Sequence, residues 1–411
     1  MSGTKDPEFS HLPREIITKI LGLLSYKDLC VLVRVSKTWW ELGGDPFIWR
    51  HFKLQVTGSS LEHIESILSM QRLASISYIS CLHGVLESSH LDIISNTTIN
   101  QVVFGGCDFN RVWPEVLALM VNKMESVSLS LKVGTKLSIA QKIQMFSLMT
   151  QTTKLTELEL LFIDLSEVSV SMFVMAITSM ERVSLKGNNL TMEQKVQLFQ
   201  TLSKETKIVQ LKMMKNDLNS VPYDDLAKSL NKLEKVEILH CRLYPPQIVA
   251  IFEEISRGTN ICDLNLKFNI LSSVSPDILA SALGKIESVN IAGCRLKRDQ
   301  VSKLFEMMTD NDTLAHLDIS QNDLSDVSSD VLAKVINNLK YANVAHAKIN
   351  RNQMKNILIR SSGKTNLQYL NIKGNDMEIY PNELFRRTSK KIKEFHYKME
   401  NLEIYGHGCR W

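Results

Sequence analysis

The sequence predicts an α/β fold: a short helical module followed by a curved solenoid, with parallel strands on its inner face and helices outside. Three observations predict it. A frame, Leu-x-x-Leu-x-Leu-x-x-Asn/Cys-x-Leu, recurs with starts at residues 155, 180, 208, 233, 261, 286, 314, 339, 367 and 392. The intervals alternate between 25 and 28 residues without a break. The ninth position alternates too, through Asn188, Asn216, Cys241, Asn269, Cys294, Asn322, Ala347 and Asn375. Self-similarity at such a period marks stacked units that bury one continuous core.

Each position of the frame has a physical reason. The Leu-x-Leu pair is a short strand with one buried face. The Asn or Cys turns inward, where it can bond backbone groups that the turn leaves unpaired. Between frames, stretches such as Asp224-Asp225-Leu226-Ala227-Lys228-Ser229-Leu230 carry apolar residues at helical spacing. The frame is that of the leucine-rich repeat, and its alternation resembles the ribonuclease-inhibitor subtype. Extended backward, it fits Ile99-Val102-Phe104-Cys107-Phe109, the first half of Met124-Val127-Leu129, and Leu73-Ile76-Tyr78-Cys81. About thirteen repeats over 73–402 are expected, with a C-terminal tail at 403–411.

Composition restricts the function. The chain has 411 residues and a formal charge of +4, too small to point to nucleic acid or membrane lipid as a main partner. No apolar run is long enough to span a bilayer, and none at the start reads as a secretion signal. Seven cysteines, four of them read at the ninth frame position, suggest buried reduced thiols and a cytoplasmic or nuclear protein. His407 and Cys409 lack enough neighbouring ligands for a metal site. Residues 1–8 read as an expression remnant or a disordered start.

Residues 9–52 do not fit the repeat. Leu12-Pro13 opens a helix, with Pro13 near its first turn. Ile16, Ile17, Ile20, Leu21 and Leu24 follow at helical spacing. Ser25-x-x-Asp28 has the form of a capping box for the next helix. Residues 53–72 read as a rigid helical connector, with Ser59-x-x-Glu62 capping a helix that carries Leu61, Ile64, Ile67 and Leu68. The N-terminal module is too small to hide Trp39, Trp40 and Trp49 by itself, which suggests a partner. The plain alternative is a cap that shields the first repeat.

The module resembles an F-box. The family pattern is met at Leu12, Pro13, Glu15 and Ile16; at Leu24; at Asp28 and Leu29; at Val35, Ser36 and Trp39; and at Asp45, Pro46 and Trp49. The departure is Gly43-Gly44, expected to loosen the turn. An F-box before leucine-rich repeats is similar to the F-box/leucine-rich-repeat family. That resemblance implies a non-catalytic substrate-recognition subunit of a Skp–cullin–F-box ubiquitin ligase. It implies a Skp adaptor, a cullin reached through it, and a protein substrate as partners, and no cofactor. Leu12, Pro13, Ile16, Ile20, Leu24, Leu29, Val35, Trp39 and Trp49 carry over as adaptor-binding or F-box-core residues. The competing reading is a scaffold or inhibitor that acts by direct protein binding without ubiquitin transfer.

A substrate is expected on the strand face. The seventh and eighth frame positions of the central repeats place Leu161, Phe162, Met214, Leu239 and Phe268 beside Lys186, Lys215 and Lys267. Apolar anchors ringed by charge are the usual form of an interface. The stretch 386–393 is read as an import signal or as a solvated repeat edge. Nothing in the sequence forms a phosphate-binding glycine loop, a paired Cys-x-x-Cys set or a nucleophile elbow, so no catalytic or metal residues are assigned.

Overall fold

The computed structural model describes residues 12–24, 26–49, 53–69, 76–151, 153–363, 365–376 and 382–396. Ser25, Leu73, Met377, residues 1–8 and the tail with His407 and Cys409 lie outside them. The chain divides into two compact units, residues 1–180 with 187–189, and residues 181–186 with 190–411.

The first unit opens with four short helices: α1 (Arg14–Leu21), α2 (Tyr26–Leu32), α3 (Lys37–Gly43) and α4 (Pro46–Trp49). Pro13 is the N-cap of α1 rather than its first helical residue. The expected helical connector instead begins with a strand, β1 (Leu54–Thr57), followed by a 3-10 turn at Gly58–His63 and the short α5 (Ile64–Leu68). The helix therefore starts five residues after Ser59, at an N-cap, His63, that makes no side-chain cap bond. Val56, with Leu61 and Ile64, is buried, and β1 pairs in parallel with β2 (Tyr78–Leu82). The alternation Leu54-x-Val56 is a half-buried strand pattern that the helical reading passed over.

Strands β2, β4 (Gln101–Arg111), β5 (Ser126–Leu131) and β6 (Glu157–Leu161) then pair in parallel order. A short strand, β3 (Val85–Glu87), joins the far end of β4. Register corrects the first frame. Ile79 lies opposite Val102 and Cys81 opposite Phe104, so this repeat starts at Ile76, not Leu73. Cys81 is thus a sixth-position core residue, and its thiol is pushed up to about 12 by burial. Tyr78, read as a core position, is half-exposed.

The second unit is a run of parallel strands, one per repeat. Strands β7 (Arg182–Lys186), β8 (Gln210–Met214) and β9 (Lys235–Leu239) have five residues. Strands β10 (Asp263–Asn265), β11 (Ser288–Asn290), β12 (His316–Asp318), β13 (Tyr341–Asn343), β14 (Tyr369–Asn371) and β15 (Glu394–His396) have three. The fifth frame position explains the change. In β10 to β14 it is Asn265, Asn290, Asp318, Asn343 or Asn371, whose side-chain oxygen accepts the N–H two residues on, at 3.1–3.2 Å. That N–H is then lost to the ladder and the strand stops. Ser184, Lys212 and Glu237 hold the position in the longer strands.

The ninth position works as expected. Asn269 Nδ2 donates to Ile238 O at 2.7 Å and Leu266 O at 2.9 Å; Asn322 and Asn375 repeat the pattern. The Cys241 and Cys294 thiols reach equivalent carbonyls, at 3.3 Å from Met213 O and Leu266 O. Burial pushes both thiols up to about 12.

A second polar ladder runs along the helices. Gln141, Gln194, Gln247, Gln300 and Gln353, spaced 53 residues apart, are all buried at the third helical position. Each side-chain oxygen accepts its N-cap N–H. Gln247 Nε2 also donates to Leu218 O and Val221 O of the preceding repeat, at 2.8 and 2.7 Å. Gln141, Gln300 and Gln353 likewise each donate to two carbonyls of the repeat before their own. These amides close the loop between strand and helix, where backbone groups would otherwise be buried unpaired.

Candidate interaction surfaces

The four N-terminal helices separate two sets of apolar residues. Ile17 and Leu21 of α1, Leu29 of α2, Val33, Ile48 and Trp49 are buried. Trp49 Nε1 donates to Gly43 O at 2.6 Å. A Cβ on Gly43 would lie 2.4 Å from Val33 Cγ1, so this glycine permits close packing instead of loosening a turn. Ser36 caps α3 by accepting from Trp39 N at 3.3 Å. Leu29 and Trp49, candidate adaptor contacts, are therefore core residues.

The other set stays outside. Leu12, Pro13, Ile16 and Val35 are exposed, and Ile20, Leu24 and Trp39 are half-buried. Leu23 at 85%, Val31 at 64% and Trp40 at 62% join them, three residues absent from the candidate list. The signal was present in the sequence. Leu12, Ile16, Ile20 and Leu23 form a stripe at helical spacing beside the buried Ile17–Leu21 stripe, and Val31 and Val35 form another beside Leu29 and Val33. A small helical body with two apolar stripes has one more than its own core can use.

On the repeats, the eighth frame position has a positive φ at Phe162, Lys215, His240, Phe268, Gln321 and His346, and at Gly187, Gly293 and Gly374. Such a backbone is uncommon for residues with a side chain. In the first unit Leu161 is half-buried, Phe162 is exposed, and a Cβ on Gly187 would lie 2.8 Å from the Phe162 ring.

In the second unit Lys186, Met214 and Lys267 are half-buried, and Lys215 and Phe268 are exposed. Leu239 is only 8% exposed and is no anchor; it ends its strand opposite Met214. Lys267 Nζ lies 4.9 Å over the Phe268 ring, and the His240 ring is 4.9 Å from it on a tilted approach. Lys215, Asp217, His240, Arg242, Phe268 and Ile270 line an open pocket of about 640 Å³. It is basic on balance, with Asp217 paired to Arg242 at 3.6 Å.

The basic stretch 386–393 falls on the helix Asn382–Lys391 and its join to β15, with Thr388 and Ile392 buried and the charged side chains outside. Among the described residues no group of three His, Cys, Asp or Glu side chains could hold a metal ion, and no helix is long and apolar enough to cross a membrane.

Residues 9–55 match the F-box-like family model. Human NACHT, LRR and PYD domains-containing protein 13 is 24% identical over 166 residues, 39% of this chain and 16% of that protein. The chain thus spans only a small part of that relative. Among solved structures, the Rad7 and Elc1 complex in yeast has a TM-score of 0.48 at 13% identity, covering 90% of this chain and 98% of that one. LegL7 from Legionella pneumophila, a leucine-rich-repeat-containing protein, has a TM-score of 0.36 at 16% identity, covering 83% and 98%. The chain thus carries an F-box-like match at residues 9–55, followed by a run of leucine-rich-repeat frames.

Proposed function

We propose that this chain is a non-catalytic substrate-recognition subunit of a Skp–cullin–F-box ubiquitin ligase, working in the cytosol or nucleus. The observation that carries the reading is the second apolar stripe on the F-box-like helices: Leu12, Ile16, Leu23, Val31, Val35 and Trp40 lie outside the core. Covering such side chains with a partner gains about 1.5–3 kcal/mol for each one fully buried. The Skp adaptor fits that stripe, and a cullin is reached through it.

The repeats hold a protein substrate on their strand-end loops. In the second unit the candidate contacts are Met214, Lys215, Lys267 and Phe268; in the first unit they are Leu161 and Phe162. Binding of the purified chain to the Skp adaptor tests the reading; no binding at micromolar concentration sinks it. The ribonuclease-inhibitor-like alternation of the repeats favours a second reading, a scaffold that blocks its partner without ubiquitin transfer. Deleting residues 1–52 separates the two, because an inhibitor keeps its cellular effect and a ligase receptor loses substrate turnover.

A further inference from the structure

The 53-residue period also governs the tenth frame position. Asn189, Arg242, Arg295 and Lys348 occupy it in alternate repeats, all with φ between 50° and 54°. The repeat before each supplies Asp164, Asp217, Ile270 and Asp323 at the same position. Three of these couples are made. Asn189 Nδ2 donates to Asp164 at 3.2 Å, Arg242 pairs with Asp217 at 3.6 Å, and Lys348 pairs with Asp323 at 2.9 Å. The same aspartates accept the N–H two residues on, from Ser166, Asn219 and Ser325.

Ile270 breaks the series. It removes both interactions and leaves Arg295 exposed, with no ion pair or side-chain hydrogen bond among the described residues. Ile270 is itself 52% exposed and lines the pocket beside Phe268. Phe268 is held ready: a Cβ on Gly293 would lie 2.7 Å from its ring, so the glycine is what lets the ring lie there. An exposed isoleucine in place of an aspartate gains free energy only when something covers it. An uncompensated guanidinium next to it selects for a carboxylate.

We propose that Ile270, Phe268 and Arg295 form a docking point for an acidic, apolar peptide segment of a partner protein. A partner carboxylate takes the place of the missing aspartate on Arg295, and a neighbouring apolar side chain covers Ile270 and Phe268. The proposal rests on the repeats being a protein-binding surface and names the chemistry of what they bind.

The test uses the full chain and a fluorescent nonapeptide alternating Glu and Leu, with Gln-for-Glu and Lys-for-Glu counterparts. The acidic peptide should bind about tenfold or more tighter than either, one charge-assisted contact being worth roughly that factor. Ile270→Asp, which restores the internal pair, and Arg295→Gln should each weaken it by about tenfold, whereas Lys348→Gln, whose partner Asp323 is already internal and which lies outside that pocket, should not. Ile270→Asp should not lower Tm, since it installs the pairing of the neighbouring repeats. Equal binding of the three peptides, or acidic binding that survives both substitutions, overturns the proposal. Skp adaptor binding by the same variants is measured alongside. Its failure in the wild type sinks the ligase reading and leaves the peptide result standing.

Discussion

The F-box-like helices and the leucine-rich repeats use polar and apolar residues in opposite ways. In the helices, the core is made by a few apolar side chains such as Leu29 and Trp49, and a second apolar set stands exposed. In the repeats, nearly every frame apolar is buried, and polar side chains complete the structure: Gln247, Gln300, Asn269 and Asn322 are buried and bonded to backbone carbonyls. A stacked array repeats the same turn many times, so it repeats the same unpaired backbone groups, and side-chain amides must meet them. A four-helix module has little loop to satisfy. Its problem is too much apolar surface for its size. Apolar substitutions on the helices should therefore act on binding, and polar substitutions in the repeats on stability.

The largest effect is expected on the helices. Val35→Asp combined with Trp40→Asp should weaken Skp adaptor binding by about a hundredfold or more, as loss of central apolar contacts does. Tm should stay at the wild-type value, because both side chains are exposed. Leu29→Ala should do the reverse and cost about 3 kcal/mol of stability through a core cavity. Denaturant unfolding and adaptor titration on the same samples decide between them, and equal loss of both properties in the surface double variant would erase the distinction.

Next in size is the buried amide. Gln247→Leu leaves the Val221 carbonyl and the Tyr244 N–H without these partners, and the Leu218 carbonyl with the Val221 N–H alone. A cost of about 3 kcal/mol is expected, from unpaired buried groups at roughly 1–3 kcal/mol each. Asn269→Ala should cost less, about 2 kcal/mol, because it orphans the Ile238 carbonyl alone, while Leu266 O keeps the Asn269 N–H and the Cys294 thiol. Asn269→Cys should recover part of that loss, since Cys241 and Cys294 reach the same class of carbonyl in neighbouring repeats. Midpoints of denaturant unfolding rank the three.

The repeat fold was legible because its signal is redundant: a shifted reading of one frame does not disturb nine others. Where the redundancy thins, the reading slipped. The first repeat was placed three residues early because Leu73, Ile76, Tyr78 and Cys81 also fit the spacing, and only pairing with β4 distinguishes the registers. The glutamine ladder was missed although its 53-residue spacing is plain in the sequence, because glutamine carries no hydrophobic signal and its partners lie 26–29 residues away. The two apolar stripes of α1 could not be assigned to core or surface from spacing alone; burial does that. Leu239 shows the same limit on the repeats. Its frame position points outward in the ideal unit, yet it is covered in this one.

The smallest effect expected is electrostatic. Asp323 accepts from Ser325 and pairs with Lys348, and these contacts, the Ser325 hydroxyl foremost, hold its carboxyl down at about 2. The ordinary value is 3.8, so the folded state favours the charged form. The resulting stability is fully present above about pH 5 and is lost as pH falls through 3.8 toward 2. Asp323→Asn should lower stability by at most about 2 kcal/mol at pH 7, and less to the extent that exposed Lys348 is screened. The gap between variant and wild type should shrink to about a third of its size at pH 2.5 and close only at about pH 1. If it stays constant with pH, the loss comes from the turn geometry rather than from the charge, and the aspartate series would be a backbone device in which the missing member at Ile270 costs no ion pair.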